Sequence, residues 1–202
     1  MMAGTVIRSF AAPATAPDGL AFDGKYLWHI HETSALYQLD LDAGRIIRQF
    51  SLAGLQPLSL AFDGKYLWYS EGVNTELRQI DLGNRLIRAI ASPALAPRGI
   101  AFDGKHLWHV DPINNLLLQL DLNGVVIRSI TIPGTDQWGL VRVGKHFYYT
   151  DYTDNLIRRL DLNGVVIQSF ASPANTPRGI AFDGKHLWVS CDATDLIYQV
   201  DI

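Results

Sequence analysis

The chain has 202 residues, and its 17 Lys and Arg against 20 Asp and Glu give a formal net charge of −3, so it lacks the positive excess of a phosphate-backbone binder and no nucleic-acid partner is expected. A hydrophobic content of 48% suffices for a substantial core, yet no run of eighteen apolar residues offers a membrane span, and no membrane partner is expected. Cys191 stands alone and cannot form an intramolecular disulfide, and Met1-Met2-Ala3-Gly4 lacks the regions of a signal peptide, so a chain complete as it stands is expected in the cytoplasm.

In chain order, the first apolar stretch is Thr5 to Phe10, followed by a unit that recurs every forty residues. Ala21-Phe22-Asp23-Gly24-Lys25 returns at Ala61 to Lys65, Ala101 to Lys105 and Ala181 to Lys185, with Val141-Arg142-Val143-Gly144-Lys145 in the fourth place. Each unit holds four short apolar stretches separated by turn residues, typified by Gly99 to Phe102, His106 to Val110, Leu116 to Leu120 and Val125 to Ile130. Four strands per repeat at this period predict an all-β propeller of five blades. The last unit ends after its third stretch, Leu196 to Val200, whereas Thr5 to Phe10 precedes any unit that could own it. The N-terminal strand is therefore expected to complete the last blade and close the ring. Residues 1–202 read as a single domain, with blades at about 11–50, 51–90, 91–130, 131–170 and 171–202 plus 1–10, and a monomer is expected.

Much of the repeated sequence is scaffold. The Asp-Gly pairs suit tight hairpins that need positive φ, and the series Trp28, Trp68, Trp108, Tyr148 and Trp188 suits the wedge between blades. Asp40, Asp81, Asp121, Asp161 and Asp201 recur too regularly for one asymmetric reaction, so each is expected to accept turn amides. Lys25, Lys65, Lys105, Lys145 and Lys185 form a solvated crown, which could serve an acidic protein surface.

Function is expected where equivalent positions differ. One such ring is Asp18, Leu58, Arg98, Trp138 and Arg178, just before the innermost strand, and a second is His31, Glu71, Asp111, Asp151 and Cys191. Both fall at the same end of the blades. The second ring consists of metal-ligand types, but neighbours would stand about 12 Å apart on a radius of about 10 Å, too far for one ion. No metal is expected, and a turn-capping role is. The first ring lies nearer the axis, where Arg98 and Arg178 flanking Trp138 suit a small anionic, sugar or peptide ligand; Asp18 and Tyr149 complete the candidate set. Blade four departs most from the others, adding Trp138, Tyr149 and Tyr152. The competing expectation is that the arginines pair with Asp111, Asp151 or Asp192. There is no Gly-rich phosphate loop, no Gly-x-Ser-x-Gly elbow and no paired Cys motif, so no cofactor is expected.

The blade pattern is best seen in Ser172-Pro173-Ala174-Asn175-Thr176-Pro177-Arg178-Gly179-Ile180 followed by Asp183-Gly184-Lys185-His186-Leu187-Trp188. It resembles the streptogramin B lyase type of propeller and its YVTN and NHL relatives along the whole chain. That resemblance implies the propeller fold. The lyases carry their catalytic His in the Pro-x-Gly turn, where this chain has Asp18, Leu58, Arg98, Trp138 or Arg178, and they have seven blades. Glu71 matches their functional Glu, three residues past an aromatic. Trp138-Gly139-Leu140 and Glu71-Gly72 are similar to the plant-type glutaminyl cyclotransferases, over about one blade. The resemblances leave an enzyme using Glu71 or Asp151 as acid or base as the alternative to a binding scaffold. The near identity of blades three and five leaves a recently amplified or engineered repeat without a ligand as a third reading.

Overall fold

Each forty-residue unit folds as a four-stranded antiparallel sheet because its apolar stretches are punctuated by residues that make tight turns. The structure is a computed structural model and describes residues 3–52 and 55–202. The chain begins with β1 (Val6–Ala11). Blade one follows as β2 (Leu20–Phe22), β3 (Leu27–His31), β4 (Ala35–Leu39) and β5 (Ile46–Ser51). Blade two is β6 (Pro57–Phe62), β7 (Leu67–Glu71), β8 (Glu76–Ile80) and β9 (Leu86–Ala91), and blade three is β10 (Ile100–Phe102), β11 (Leu107–Asp111), β12 (Leu116–Leu120) and β13 (Val126–Thr131). Blade four is β14 (Gln137–Val143), β15 (His146–Asp151), β16 (Leu156–Leu160) and β17 (Val166–Ala171). Blade five takes β18 (Pro177–Phe182), β19 (Leu187–Cys191) and β20 (Leu196–Val200) from the end of the chain and β1 from its start, in the order β1-β20-β19-β18. The latch pairs Val6 with Val200 and Ala11 with Leu196. It sits one residue later than the sequence pattern suggests.

The core is divided among the five junctions between blades. One buried cluster joins blades one and two, and others join two to three, three to four and four to five. The last joins blade five to blade one through Trp188, Ala181 and Ile197 against Leu20, Leu27 and Leu39, with Phe10 of the latch packed on it. All five wedge aromatics are buried. Four of them are also tied to the hairpin of their own blade. The Nε1–H groups of Trp28, Trp68, Trp108 and Trp188 donate to Asp23, Asp63, Asp103 and Asp183 at 2.7 to 2.8 Å. The other oxygen of each carboxylate accepts amides of its own turn, such as those of Lys25 and Tyr26. In these four turns glycine carries the positive φ, 95° at Gly24, while aspartate supplies the hydrogen bonds.

Blade four loses both halves of this arrangement together, having Val143 for the Asp and Tyr148 for the Trp. A tyrosine has no indole N–H to anchor, so one change removes the need for the other. The departures at Val143 and Tyr148 thus have a structural explanation and do not mark a ligand. Asp40, Asp81, Asp121 and Asp161 accept amides of their turns. Backbone hydrogen bonding holds the carboxyls of Asp40, Asp81 and Asp121 below their ordinary range.

The outermost strand of every blade carries a register shift, as at Val6/Arg8 and opposite Gln38/Leu39. Such bulges twist an exposed edge away from regular pairing with another molecule. Among the described residues no helix is long and apolar enough to cross a membrane.

Candidate functional site

At the channel mouth the innermost strands come close enough for backbone to touch backbone, and glycine makes that approach feasible. A Cβ on Gly139 would stand 2.3 Å from the carbonyl oxygen of Arg178, and one on Gly179 would stand 2.2 Å from that of Asp18. Hydroxyl groups fasten these crossings. Thr150 Oγ1 accepts from the Gly139 amide at 2.8 Å and donates to the Arg178 carbonyl at 2.6 Å. Ser190 Oγ accepts from the Gly179 amide at 2.8 Å and donates to the Asp18 carbonyl at 2.7 Å. Each rim residue therefore projects from a backbone held by its neighbouring blade.

The rim brings together four of the five residues expected there. Arg98 lies with its Cζ 3.4 Å from the centroid of Trp138, and Arg178 lies 4.5 Å from the same ring. Tyr152 joins the stack at 5.5 Å from Trp138. Arg178 is held as a strut, since Nη1 donates to Asp18 at 2.6 Å and Nη2 to Asp192 at 3.0 Å, while its Nε, like that of Arg98, is buried with no partner among the described residues. Asp18, a member of the same expected ring, is thus the direct partner of Arg178. It is buried and also accepts from the Glu32 amide at 2.8 Å. Tyr149 lies elsewhere: it is buried between blades three and four and its hydroxyl donates to the Pro133 carbonyl at 2.5 Å.

Arg98 differs from Arg178. Among the described residues its guanidinium has no ion pair and no hydrogen-bond acceptor, and its Nε is shut off from solvent. Burial pulls its pKa below the ordinary arginine value; the charge of Asp136 opposes that pull and the charge of Arg178 adds to it. The indole N–H of Trp138 is likewise buried without an acceptor. These two side chains form one wall of a cleft of about 280 Å³, which Glu32, Gln56, Leu58, Gly72 and the segment 95–98 complete. Gln56, Glu32 and Leu95 were not singled out in the sequence: Gln56 and Glu32 differ from their counterparts in every other blade, a signal that was present, whereas Leu95 has the matching Leu55 in blade two and carried none.

The second ring is spent within its own blades. Glu71 accepts the amides of Gln56, Val73 and Asn74 at 3.2, 2.6 and 2.8 Å. Burial alone would raise its carboxyl, but these amides outweigh it and hold the pKa below normal. Asp151 binds Arg158 and the Asp154 amide, and Asp111 accepts the amides of Ile113 and Asn114. His31 is held between Thr33 and the Thr15 carbonyl. Cys191 is buried, which pushes its thiol up to about 11. Among the described residues no group of three His, Cys, Asp or Glu side chains is placed to hold a metal.

Behind the rim, His29 and His109 occupy equivalent places next to the wedge tryptophans, and both are buried. His109 meets Ser92 Oγ at 3.0 Å, whereas the corresponding position in blade one is Ala12 and, among the described residues, neither nitrogen of His29 has a hydrogen-bond partner. Burial lowers His29 to about 3 and His109 to about 4. The unfolded chain protonates both near 6.5, so their contribution is complete above pH 6.5 and is lost as the pH falls toward 4 and then 3. Asp18 works in the opposite sense, because burial raises it from 3.8 to about 6 despite Arg178. Two imidazoles outweigh one carboxyl, and between pH 7 and pH 5 the fold is expected to lose roughly 2–4 kcal/mol, at about 1.4 kcal/mol per uncompensated proton and pH unit. Urea melts at the two pH values measure this, and the combined His29→Phe and His109→Gln variant should no longer lose stability on acidification, leaving the opposite dependence of Asp18, a gain of about 1 kcal/mol from pH 7 to pH 5. An equal loss in that variant would show that the imidazoles are not responsible.

Further along the axis the innermost strands enclose a channel of about 140 Å³. Phe22, Phe62, Phe102 and Phe182 line it at one tier, and Arg142 takes the fifth place. Arg142 is the odd member of its own ring, a signal present in the sequence beside Val143. Its Nη1 lies 3.3 Å from Asp103 and its Nε donates to the Gly144 carbonyl.

No protein-family profile matches the sequence, and no curated protein does. Solved structures do match in fold. Glutaminyl cyclase of Myxococcus xanthus is similar with a TM-score of 0.84 and 15% identity, over 97% of this chain and 94% of that one. A catalytically inactive virginiamycin B lyase from Staphylococcus aureus, solved with quinupristin, gives 0.58 and 22% over 94% and 67%. A nidogen/laminin complex gives 0.63 and 17% over 84% and 85%. The shared property is the propeller, found here in enzymes and in a binding protein, and at these identities the likeness concerns fold alone.

Proposed function

We propose that this propeller is a binding protein for a small organic anion, received in the mouth cleft by Arg98 beside Trp138. The observation that carries the reading is the guanidinium of Arg98, half-buried at the wall of a cleft with no ion pair and no hydrogen-bond acceptor among the described residues and only the more distant charges of Asp136 and Asp18 to offset its own. A desolvated charge is costly unless paired, and an anion from solution supplies the missing partner. Arg178 contributes by holding the stack, since its own charge is met by Asp18 and Asp192. Catalysis is not required. Glu71 and Asp151, the candidate acid or base groups, are committed to turn amides and Arg158, and a base whose lone pairs are already engaged is poorly placed to take a proton.

The test is a thermal-shift series with acetate, benzoate and N-acetyl amino acids on wild type and Arg98→Met, which keeps an unbranched stem over Trp138. At least one acid should raise the melting temperature of the wild type, and the variant should bind it about tenfold or more weakly, the loss expected of one charge-assisted hydrogen bond. Identical shifts in both proteins, or none in either, would refute the reading and favour a scaffold without a ligand here.

A further inference from the structure

The lining of the cleft narrows the class of anion. Among the described residues it offers one unpaired cation, because the neighbouring Arg178 is already neutralised. Glu32 shares the lining, with its side chain 44% exposed and 3.9 Å from Nη1 of Arg178; Arg178 is divided among three carboxylates, Asp18, Asp192 and Glu32, so negative charge remains there to repel a second one. A monocarboxylate fits this balance better than a phosphate or a dicarboxylate. The remaining lining is apolar beside the charge, with Leu58, Ala96 and Pro97. Leu95 at its lip is 82% exposed and Val73, next to Gly72, is 62% exposed. Gly72 packs closely there: a Cβ would stand 3.0 Å from Gln56 Oε1 and 3.3 Å from Leu58 Cδ1. Gln56 presents an amide that can both donate and accept. A carboxylate, an adjacent apolar group and a neighbouring peptide-like amide are the features of one chemical species.

We infer that the mouth cleft captures the free C-terminus of a peptide ending in an apolar residue, with Arg98 on the terminal carboxylate, the last side chain against Leu58 and Pro97, and the preceding peptide group at Gln56. The inference rests on the anion-binding reading above and deepens it. Terminal-carboxylate capture is a recurring mode of peptide recognition. The open lip at Leu95 and Val73 lets the chain leave the cleft, as an extended peptide must and a free amino acid need not.

Titration calorimetry on the whole chain separates the sources of such a carboxylate. The probes are N-acetyl-Ala-Leu as the free acid, the same dipeptide as its C-terminal amide, free leucine, and benzoate. The free-acid dipeptide should bind best, the amide about tenfold or more weakly, and Arg98→Met should abolish the difference between them. Leu95→Asp, a change at an exposed side chain, should weaken the acid without lowering the melting temperature. Equal binding of acid and amide would overturn the inference, as would free leucine binding as tightly as the dipeptide. If benzoate binds in an Arg98-dependent way and the dipeptide acid does not, the anion site stands and the C-terminal assignment falls. Should none of the four bind, both fall.

Discussion

Deleting residues 1–10 is expected to abolish the cooperative monomer. The deletion removes nearly all of β1, and with it the pairing from Val6↔Val200 to Phe10↔Ile197 along β20. Phe10, 5.5 Å from Trp188, and Arg8, 5.2 Å from the same ring, also leave the junction between blades five and one. Losing one large apolar side chain alone costs about 3–5 kcal/mol, against a total stability of about 5–15 kcal/mol for a typical domain. The strand's hydrogen bonds are lost as well, and β20 becomes a bare edge open to self-association. Heat denaturation should show a broad or absent transition and light scattering should show oligomers, with a synthetic peptide of residues 1–12 restoring the transition in trans. A melting temperature equal to that of the full chain would mean that the ring does not depend on its latch.

Gly179→Ala should destabilise the fold more than any other glycine-to-alanine change outside the turns, apart from Gly139→Ala, which is of the same kind. The added Cβ would sit 2.2 Å from the Asp18 carbonyl oxygen and 2.8 Å from Leu20 N and Ser190 Oγ. The obstruction is chiefly backbone, and Ser190 bonds both the Gly179 amide and the Asp18 carbonyl, so relief requires blades five and one to separate. Overpacking of this sort costs about 3 kcal/mol or more, which for a chain of this size lowers the melting temperature by roughly 6–12 °C. Gly184→Ala is the comparison: its φ is +98° with nothing within 4 Å, so it meets backbone strain but no obstruction and should cost less than Gly179→Ala, about 1–2 kcal/mol. Equal effects would show that the close approach at the axis is not a constraint.

How much of this was legible in the chain follows from what repeats. The five blades and the latch were readable because a period of forty residues counts strands without any knowledge of contacts. Turn capping by Asp40, Asp81, Asp121 and Asp161 was readable for the same reason. The coupling of Asp23 to Trp28 and its copies was visible in principle, since blade four lacks both members, but the sequence does not show that an indole N–H reaches five residues back. Tyr149 was misplaced on the rim because both faces of a propeller blade are buried against neighbours, so alternation along a strand cannot tell core from site. The pairing of Arg178 with Asp192 was among the carboxylate pairs the sequence suggested, but that with Asp18 joins residues 160 apart in the chain, and the absence of any such partner for Arg98 among the described residues is decided by the neighbours the fold brings to it. That is why Arg98 and Arg178, identical in sequence context, have different parts here.

The most direct test of the central claim is the ¹H–¹⁵N resonance of the Trp138 indole, assigned by its absence in Trp138→Phe and followed during titration with N-acetyl-Ala-Leu. A saturable shift of that resonance is expected in the wild type, with no movement in Arg98→Met. A resonance that stays still in the wild type while the peptide binds elsewhere, or that moves equally in Arg98→Met, would contradict it.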